Sequence, residues 1–295
     1  MIWVIGSKGM LGAELCHQLA ATGHEYVGTD LDVDILDKSA LKSFAAPKPE
    51  IHVIVNCAAY TAVDKAEDEP DLANAINAQG AKNIADIASE WGVILIHIST
   101  DYVFPGSKDV ELNEDDPTGP LSAYGSSKLS GEELVKLSTE KKVIIRTAWL
   151  YGLHGKNFVF TMLELMKNGR RITVVDDQHG APTNAADLAE TIISILDYKD
   201  PTFGVFHYSG SGRTTWYGFA CEILKNALKC GLLEKGCEVV PIATADFPTK
   251  ATRPKYSLLD TSKIQRVYDI AVPAWEMSLE KMISNLEKSD VFSQE

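Results

Sequence analysis

The segment Ile2-Trp-Val-Ile-Gly-Ser-Lys-Gly-Met-Leu-Gly12 decides the fold of this chain of 295 residues. Its first four residues form a continuous apolar run, which is typical of a buried parallel strand. Three glycines follow with the spacing G-x-x-G-x-x-G, and Leu11, Leu15 and Leu19 then recur at helical spacing. Glycine allows a tight turn and a close approach of the backbone to a pyrophosphate, which the N-terminus of the next helix attracts. The order of strand, glycine turn and helix therefore predicts a dinucleotide-binding unit, although the spacing differs from the commoner G-x-G-x-x-G.

Asp30 ends the second predicted strand, at the distance expected for the acid that binds the adenosine ribose of such a cofactor. A carboxylate there accepts a hydrogen bond from the ribose 2′-hydroxyl and repels a 2′-phosphate, so it favours NADH. Lys8 is placed to tolerate that phosphate, and Asp30 also fits a plain surface residue at a strand end, so NADH and NADPH both remain open. Asp34 and Ile35 are expected near the adenine. The cofactor contacts predicted for the turn itself are Gly6, Gly9, Met10, Leu11 and Gly12.

Short apolar runs alternate with helical patterns through the first half of the chain. The predicted strands are Ile2–Ile5, Tyr26–Asp30, Val53–Ala58, Val93–Ser99 and Val143–Trp149. Such alternation predicts an α/β fold with a doubly wound parallel sheet of Rossmann type. The alternation of strand-like and helical segments becomes less regular after about residue 150, so we expect an NAD(P)-binding domain over residues 1–150. A smaller C-terminal substrate-binding lobe is expected over residues 151–295, with some of its segments returning to the first domain.

Composition narrows the class of protein. The chain carries 28 basic and 41 acidic residues, a formal net charge of −13, which argues against nucleic acids and anionic membrane surfaces as partners. No apolar stretch approaches the roughly 18 residues of a membrane-spanning helix, and Met1–Gly6 shows no basic leader pattern. Five scattered cysteines without a C-x-x-C pair indicate reduced thiols. Together these features predict a cytoplasmic protein that binds small molecules.

Tyr124 and Lys128 lie four residues apart in a predicted helix, Tyr124–Leu137, and therefore share one face. A phenol with an ordinary pKa of about 10 exchanges protons poorly at neutral pH, and a nearby cation lowers that pKa by stabilising the phenolate. The same lysine is able to reach the nicotinamide ribose. Thr100 directly follows the fourth predicted strand and is expected to face the same cleft, where its hydroxyl is suited to hold a substrate carbonyl oxygen. The spacing of Tyr and Lys is common by chance, so their position after this strand indicates that the three residues are catalytic.

Longer motifs surround these residues and carry a resemblance. They are Asn56–Glu67, Ser99–Gly106, Tyr124–Glu132, Arg146–Tyr151, Asp177–Thr183, Thr214–Ala220 and the pair Arg253 and Pro254. Over nearly its whole length the chain closely resembles the extended short-chain dehydrogenase/reductase family, and within it the enzymes that reduce dTDP-linked sugars. The long middle motifs are specific to that family, whereas the glycine turn is not.

The resemblance implies a step of nucleotide-sugar biosynthesis that serves lipopolysaccharide or cell-wall polysaccharide. A nicotinamide cofactor delivers hydride to C4 of dTDP-4-dehydro-β-L-rhamnose, which gives dTDP-L-rhamnose. Tyr124 protonates the new alkoxide, Lys128 tunes Tyr124, and Thr100 orients the ketone. Beside Tyr124 and Lys128, the residues that the resemblance places along the cofactor are Ala59, Tyr60 and Thr61. The residues that it places at the substrate are Thr100, Asp101 and Trp149 at the sugar, and Asn157 and Arg253 at the diphosphate or thymidine end.

Two further expectations come from the resemblance alone, a homodimer and magnesium. Members of the family have been described with Mg²⁺, and Glu111, Glu114, Asp115 and Asp116 form an acidic cluster. A solvated loop is the simpler interpretation of that cluster, and the histidines show no metal-ligand spacing. From its own pattern the sequence therefore predicts no metal ligands.

Tyr102 discriminates between reactions within the family. Nucleotide-sugar 4,6-dehydratases carry Thr-Asp-Glu at this strand end, because elimination of water needs an extra acid and base, whereas Tyr102 here follows Thr100 and Asp101. Ketone reduction is therefore favoured over dehydration. A 4-epimerase uses the same Tyr and Lys and stays open. Reduction of another nucleotide 4-ketosugar also stays open, as does a non-catalytic, nucleotide-binding regulatory subunit on the same fold.

Overall fold

Strands and helices alternate along the first half of the chain in the computed structural model, which describes residues 1–286 except residues 168 and 170. The strands are, in chain order, β1 (Ile2–Ile5), β2 (Tyr26–Thr29), β3 (Val53–Asn56), β4 (Ile94–Thr100), β5 (Lys142–Thr147), β6 (Leu150–Tyr151), β7 (Ile172–Val175), β8 (His179–Gly180), β9 (Thr183–Asn184), β10 (Gly204–His207), β11 (Thr214–Thr215), β12 (Val239–Ile242) and β13 (Tyr256–Ser257). The α-helices are α1 (Met10–Ala21), α2 (Lys38–Ala45), α3 (Val63–Ala66), α4 (Pro70–Asn74), α5 (Ala81–Trp91), α6 (Ala123–Ser138), α7 (Phe158–Lys167), α8 (Ala185–Leu196), α9 (Trp216–Lys229), α10 (Ser262–Tyr268) and α11 (Trp275–Ser284).

Six parallel strands form the main sheet in the order β10-β5-β4-β3-β1-β2. The chain places β2 on one side of β1 and then β3, β4 and β5 on the other side, so the direction of winding reverses between β1 and β3. Open α/β sheets bind ligands in the crevice that such a reversal leaves at the carboxyl ends of the strands. The predicted doubly wound sheet of Rossmann type is therefore confirmed, and the glycine turn after β1 lies at this crevice.

Alternate residues of β1, β3, β4, β5 and β10 enter two separate apolar cores. On one face of the sheet, Val4 packs in a cluster with residues of α1 and α8, while Trp3 and Ile5 pack on the other face with residues of α2 and α5. A third cluster joins β7 with α7, α9 and α11 outside the main sheet. The segment after residue 150 thus supplies this separate cluster and also returns β10 to the sheet beside β5. The exact division into residues 1–150 and 151–295 stays a prediction.

Helix caps explain where several helices begin. Asp37 accepts from the backbone N–H of Ser39 at 2.8 Å at the start of α2, and Thr215 accepts from the backbone N–H of Gly218 at 3.0 Å at the start of α9. Ser122 caps α6, the helix with Tyr124, by accepting from the N–H of Gly125 at 3.1 Å.

The sequence pattern and the structure differ in three places. The helical pattern of residues 71–91 is interrupted by a π-helical turn, Ala75–Gly80. There α6 approaches so closely that a Cβ on Gly131 would lie 2.1 Å from the backbone oxygen of Asn77. The fifth strand ends at Thr147 and not at Trp149, because Trp149 has a positive φ of 48° that an extended strand does not allow. The short helices α3 and α10 were not predicted, since four to seven residues carry little periodicity.

Candidate active site

The glycine turn is built for close contact between backbone segments. A Cβ on Gly12 would lie 2.1 Å from the backbone oxygen of Gly6, so only glycine fits where α1 packs against the end of β1. The N-cap residue of α1 is Gly9, which offers no side-chain hydrogen bond to the first N–H groups of the helix. These N–H groups and the positive end of the helix dipole therefore remain available to phosphate oxygens.

A cavity of about 620 Å³ extends from the turn toward the end of β2. Gly6, Gly9, Asp30, Asp34 and Ile35 line it, which brings together the residues predicted for the adenosine end. The carboxylate of Asp30 accepts from the backbone N–H of Lys8 and from that of Leu31, each at 3.0 Å. Asp30 therefore also fixes the shape of the turn. Lys8 lines the same cavity with an exposed side chain.

The segment after β3 separates this cavity from a second one. Ala59 lines both cavities, and Thr61 lines the second. Tyr60 lines neither: its phenol donates to the Glu69 carboxylate at 2.9 Å and its backbone N–H donates to Asn77 at 2.8 Å. The predicted cofactor contact of Tyr60 stays a prediction.

The second cavity, of about 430 Å³, brings the predicted catalytic residues to the start of α1. The predicted site residues that line it are Gly9, Met10, Leu11, Gly12, Ala59, Thr61, Thr100, Asp101, Tyr124, Lys128 and Trp149. Tyr102 also lines it and packs edge to face on Tyr124, with ring centroids 5.4 Å apart. The cavity is therefore a cleft between a phosphate-binding turn and a phenol, which suits transfer of a hydride and a proton to one small substrate.

Burial sets the protonation state of Tyr124. Burial raises the pKa of this phenol to about 12, the hydrogen bond to Thr100 opposes that change, and the nearby charge of Asp101 adds to it. The lowering of this pKa that the sequence predicts is therefore not found, because burial has the largest effect. Tyr124 is consequently protonated at neutral pH, which is the state that a proton donor needs.

Lys128 lies one helical turn further along α6 and is almost fully buried. Its Nζ donates to the backbone oxygen of Ile98 at 2.6 Å, which holds the ammonium below the end of β4. Burial lowers its pKa to about 8, and the charge of Glu132 opposes that change. Glu132 is itself held by two hydrogen bonds from Arg146, at 2.8 and 2.9 Å, and by one from Ser99 at 2.5 Å. A buried ion pair that the sequence analysis missed thus supports the lysine.

Thr100 and Asp101 form a short hydrogen-bonded chain with Ser257 from β13. The Thr100 hydroxyl donates to Asp101 at 2.9 Å, and the Ser257 hydroxyl donates to the other carboxylate oxygen at 2.6 Å. Because Thr100 has one hydroxyl hydrogen, its bond with Tyr124 must be donated by the phenol. Direct donation from Thr100 to a ketone requires that hydrogen to leave Asp101, so this predicted role stays a prediction. Burial raises the pKa of Asp101 to about 6 despite these bonds.

The two residues predicted for the far end of the substrate lie in different settings. Arg253 lines a third cavity of about 410 Å³, together with Phe158, Gln178 and Trp216. Its guanidinium donates to both carboxylate oxygens of Asp64, at 3.1 and 2.6 Å. Asn157 lines none of the three cavities, because its amide accepts from the N–H groups at the start of α7 and donates to the backbone oxygen of Gly152 at 2.8 Å. The structure does not bring Asn157 to the others.

Several residues at these cavities were not singled out from the sequence. Lys156 lines the catalytic cavity. Because lysine is a common phosphate ligand, a search of the sequence for such ligands would have found this residue in the loop before α7. Asp64 and Ser257 act through contacts with residues far along the chain, which leave no local pattern. Glu132 acts through Arg146 on the next strand along the chain. Trp216 lines the third cavity, although its place at the start of a helix favours a packing role.

Within the described part of the chain, no group of three or more His, Cys, Asp or Glu side chains is arranged to hold a metal ion. The magnesium implied by the resemblance therefore has no support in the structure. In the same part of the chain, no helix has the length and apolar character needed to cross a membrane.

Comparisons with known proteins agree with the geometry. The model of the RmlD substrate binding domain family matches residues 1–288. The chain belongs to this family. A relative from Salmonella typhimurium named dTDP-4-dehydrorhamnose reductase is 38% identical over 97% of each chain. The family match and this relative together confirm the resemblance predicted from the motifs.

Two solved structures of the same kind superpose closely on this RmlD-family chain. A dTDP-4-dehydrorhamnose reductase from Clostridium acetobutylicum is 41% identical with a TM-score of 0.88, covering 96% of this chain and 98% of that one. The dTDP-4-dehydrorhamnose reductase from Bacillus anthracis, in complex with NADP, is 36% identical with a TM-score of 0.90, covering 97% and 99%.

Proposed function

We propose that this chain reduces the C4 ketone of dTDP-4-dehydro-β-L-rhamnose to dTDP-L-rhamnose with NADPH or NADH. The observation that carries the proposal is one cavity that brings Tyr124, Lys128 and Thr100 to the N-terminus of α1. The names of the relatives and the NADP complex of the Bacillus anthracis neighbour support the same reaction.

The residues present fit a nicotinamide dinucleotide. Gly9 and Gly12 would receive the pyrophosphate at the uncapped end of α1, and Asp30 with Ile35 would receive the adenosine. Ala59 lies where the two cavities meet, which suits the middle of an extended ligand. When bound, the cofactor supplies the hydride.

The chain itself supplies the proton. Tyr124 donates its phenolic proton to the oxygen at C4 as the carbonyl double bond opens, so one hydride and one proton turn the ketone into an alcohol. An alkoxide is a far stronger base than a phenolate whose conjugate acid has a pKa of about 12, so this transfer is favourable. The buried ammonium of Lys128 stabilises the phenolate that remains.

The third cavity suits the nucleotide part of the substrate. Its wall includes the rings of Phe158 and Trp216, which suit a flat base, and the amide of Gln178, which can both donate and accept. Arg253 adds a guanidinium, the group best matched to a diphosphate. In the structure Arg253 is paired with Asp64, so a diphosphate competes with that carboxylate.

Tyr102 supports reduction over dehydration. A dehydratase needs a second acid or base at this position, whereas burial raises the pKa of the Tyr102 phenol well above its usual value. Tyr102 therefore contributes an aromatic ring to the wall of the catalytic cavity, and it supplies no group that titrates near neutral pH. We further expect a homodimer in the cytoplasm, where free thiols such as those of the five cysteines persist.

The test is an assay with dTDP-4-dehydrorhamnose and either NADPH or NADH. We expect cofactor oxidation with formation of dTDP-L-rhamnose, followed by absorbance and by identification of the sugar. Faster turnover of another nucleotide 4-ketosugar would move the proposal to that substrate. Cofactor binding without oxidation of either cofactor would reject the reductase and favour a non-catalytic binding subunit.

A further inference from the structure

Trp149 adopts a backbone conformation that tryptophan rarely accepts. It follows β5 with a φ of +48°, in the left-handed region where a side chain crowds its own backbone. Such a conformation is unfavourable and persists only where the surroundings enforce it. Contacts elsewhere in the fold must therefore hold this residue.

Two neighbours enforce the conformation. The indole of Trp149 stacks on that of Trp216, with centroids 3.7 Å apart and planes 12° from parallel, and Trp216 in turn packs on Phe158 at 4.7 Å. Along its edge the indole touches Gly180 of β8, where a Cβ would lie 2.7 Å from Cε2 and 2.9 Å from Cζ2 of the ring. A ring stacked on one neighbour and in contact with another along its edge has little freedom to rotate.

The stacked pair separates two cavities. Trp149 lines the catalytic cavity with Tyr124 and Thr100, while Trp216 lines the third cavity with Phe158 and Arg253. A substrate whose nucleotide fills the third cavity must pass this wall to bring its sugar to Tyr124. The position of the Trp149 ring thereby limits how the sugar approaches the phenol.

We propose that Trp216 and Gly180 are positioning residues, which hold Trp149 in its strained conformation so that its indole sets the placement of the hexose against Tyr124. The proposal rests on the proposed function, because it concerns the sugar of that substrate. A misplacement of about 1 Å at a reacting centre can lower a rate by about a hundredfold, so a displaced ring lowers kcat more than it weakens nucleotide binding. A purely structural role predicts loss of stability with kcat unchanged.

Gly180→Ala is the sharpest test, because Gly180 lines none of the three cavities and its new methyl group meets the indole directly. Stacked indoles couple their excited states and give paired bands of opposite sign in circular dichroism, which report the Trp149–Trp216 stack. We expect weaker paired bands, a kcat at least about tenfold lower at saturating substrate, and a Kd for dTDP within about twofold of wild type. Weaker bands with kcat unchanged would overturn the proposal.

A second set of variants decides the question if Gly180→Ala does not fold. Trp216→Phe keeps a flat ring against Trp149, whereas Trp216→Leu removes it, so we expect only the leucine variant to lose about tenfold or more in kcat. Equal kcat values for the two variants would overturn the proposal. Tyr217→Leu, next to Trp216 on α9 but outside these cavities, is the matched control for loss of an aromatic ring. Absence of turnover in the wild type rejects the proposed function instead, and is thereby distinguished from a failure of this inference.

Discussion

The cofactor end and the substrate end of the candidate site are built in different ways. At the cofactor end, Gly6, Gly9 and Gly12 belong to one continuous strand, turn and helix, and the groups offered to the ligand are mostly backbone N–H groups. At the substrate end, Asp101 is bound by a serine 156 residues later, and Arg253 pairs with a carboxylate 189 residues earlier. The first end is a local structure, whereas the second exists only once the whole chain has folded. Replacements at the two ends should therefore change different kinetic constants.

The largest effect is expected at the phenol where the two ends meet. Tyr124→Phe removes the proton donor and keeps the ring, so kcat should fall about 10²–10⁴-fold while the Kd of NADPH or NADH stays close to that of wild type. Single-turnover kinetics and a cofactor titration measure the two quantities. Tyr198→Phe, which removes an exposed phenol, is the control. Unchanged turnover in Tyr124→Phe would sink the proposed mechanism.

The same comparison explains how far the sequence could predict the site. The turn residues and Asp30 were found because a strand, glycines and an acid at fixed spacing reflect one local geometry. Tyr124, Lys128 and Thr100 were found because they end or follow a predicted strand, and the structure brings them together. The roles of Ser257 and Asp64 had no such signal, since each depends on a contact with a distant element. Asn157 caps a helix and lines none of the three cavities, so its predicted contact with the substrate stays a prediction.

Next in size is a stability effect at the substrate end. The pKa of Asp101 is raised by burial from 3.8 to about 6, so between these values the folded protein binds more protons than the unfolded chain. The stability that Asp101 contributes is fully present below about pH 4. It is lost as the pH rises through 6, and the loss amounts to about 3 kcal/mol. Asp101→Asn lacks this titration. The free energy of unfolding of the variant, relative to that of wild type, should therefore rise by about that amount between pH 4 and pH 7.

Denaturant unfolding at several pH values measures the difference. Asp71→Asn, at the first turn of α4, controls for the loss of one charge at a position outside the site. A constant difference between Asp101→Asn and wild type from pH 4 to pH 7 would contradict the assignment of the titration to Asp101. The prediction bears on the comparison of the two ends, because the substrate end holds Thr100 by means of a buried charge that destabilises the fold.

A smaller effect is expected at Arg253. Removing a charge-assisted contact to a diphosphate costs about 2 kcal/mol, so Arg253→Ala should raise the KM of the dTDP-sugar about 30-fold and leave the Kd of the cofactor unchanged. Lys250→Ala is the matched control, since Lys250 pairs with Asp68 nearby and lines none of the three cavities. A parallel loss of cofactor affinity in Arg253→Ala would break the division between the two ends.

The smallest effect concerns Asp30 at the cofactor end, where the side chain has two separable roles. Its charge is expected to repel a 2′-phosphate, and its oxygens accept from the N–H groups of Lys8 and Leu31. Asp30→Asn removes the charge and keeps one acceptor oxygen in place, so the ratio of kcat/KM for NADPH to that for NADH should rise about fivefold, or about 1 kcal/mol. Asp30→Ala removes the charge and also both acceptors, so it should show the same change in ratio with a higher KM for both cofactors.

If neither variant changes the ratio, Asp30 only shapes the turn and does not set the cofactor preference. The side chain would then contribute only to the local backbone structure that distinguishes the cofactor end of the site.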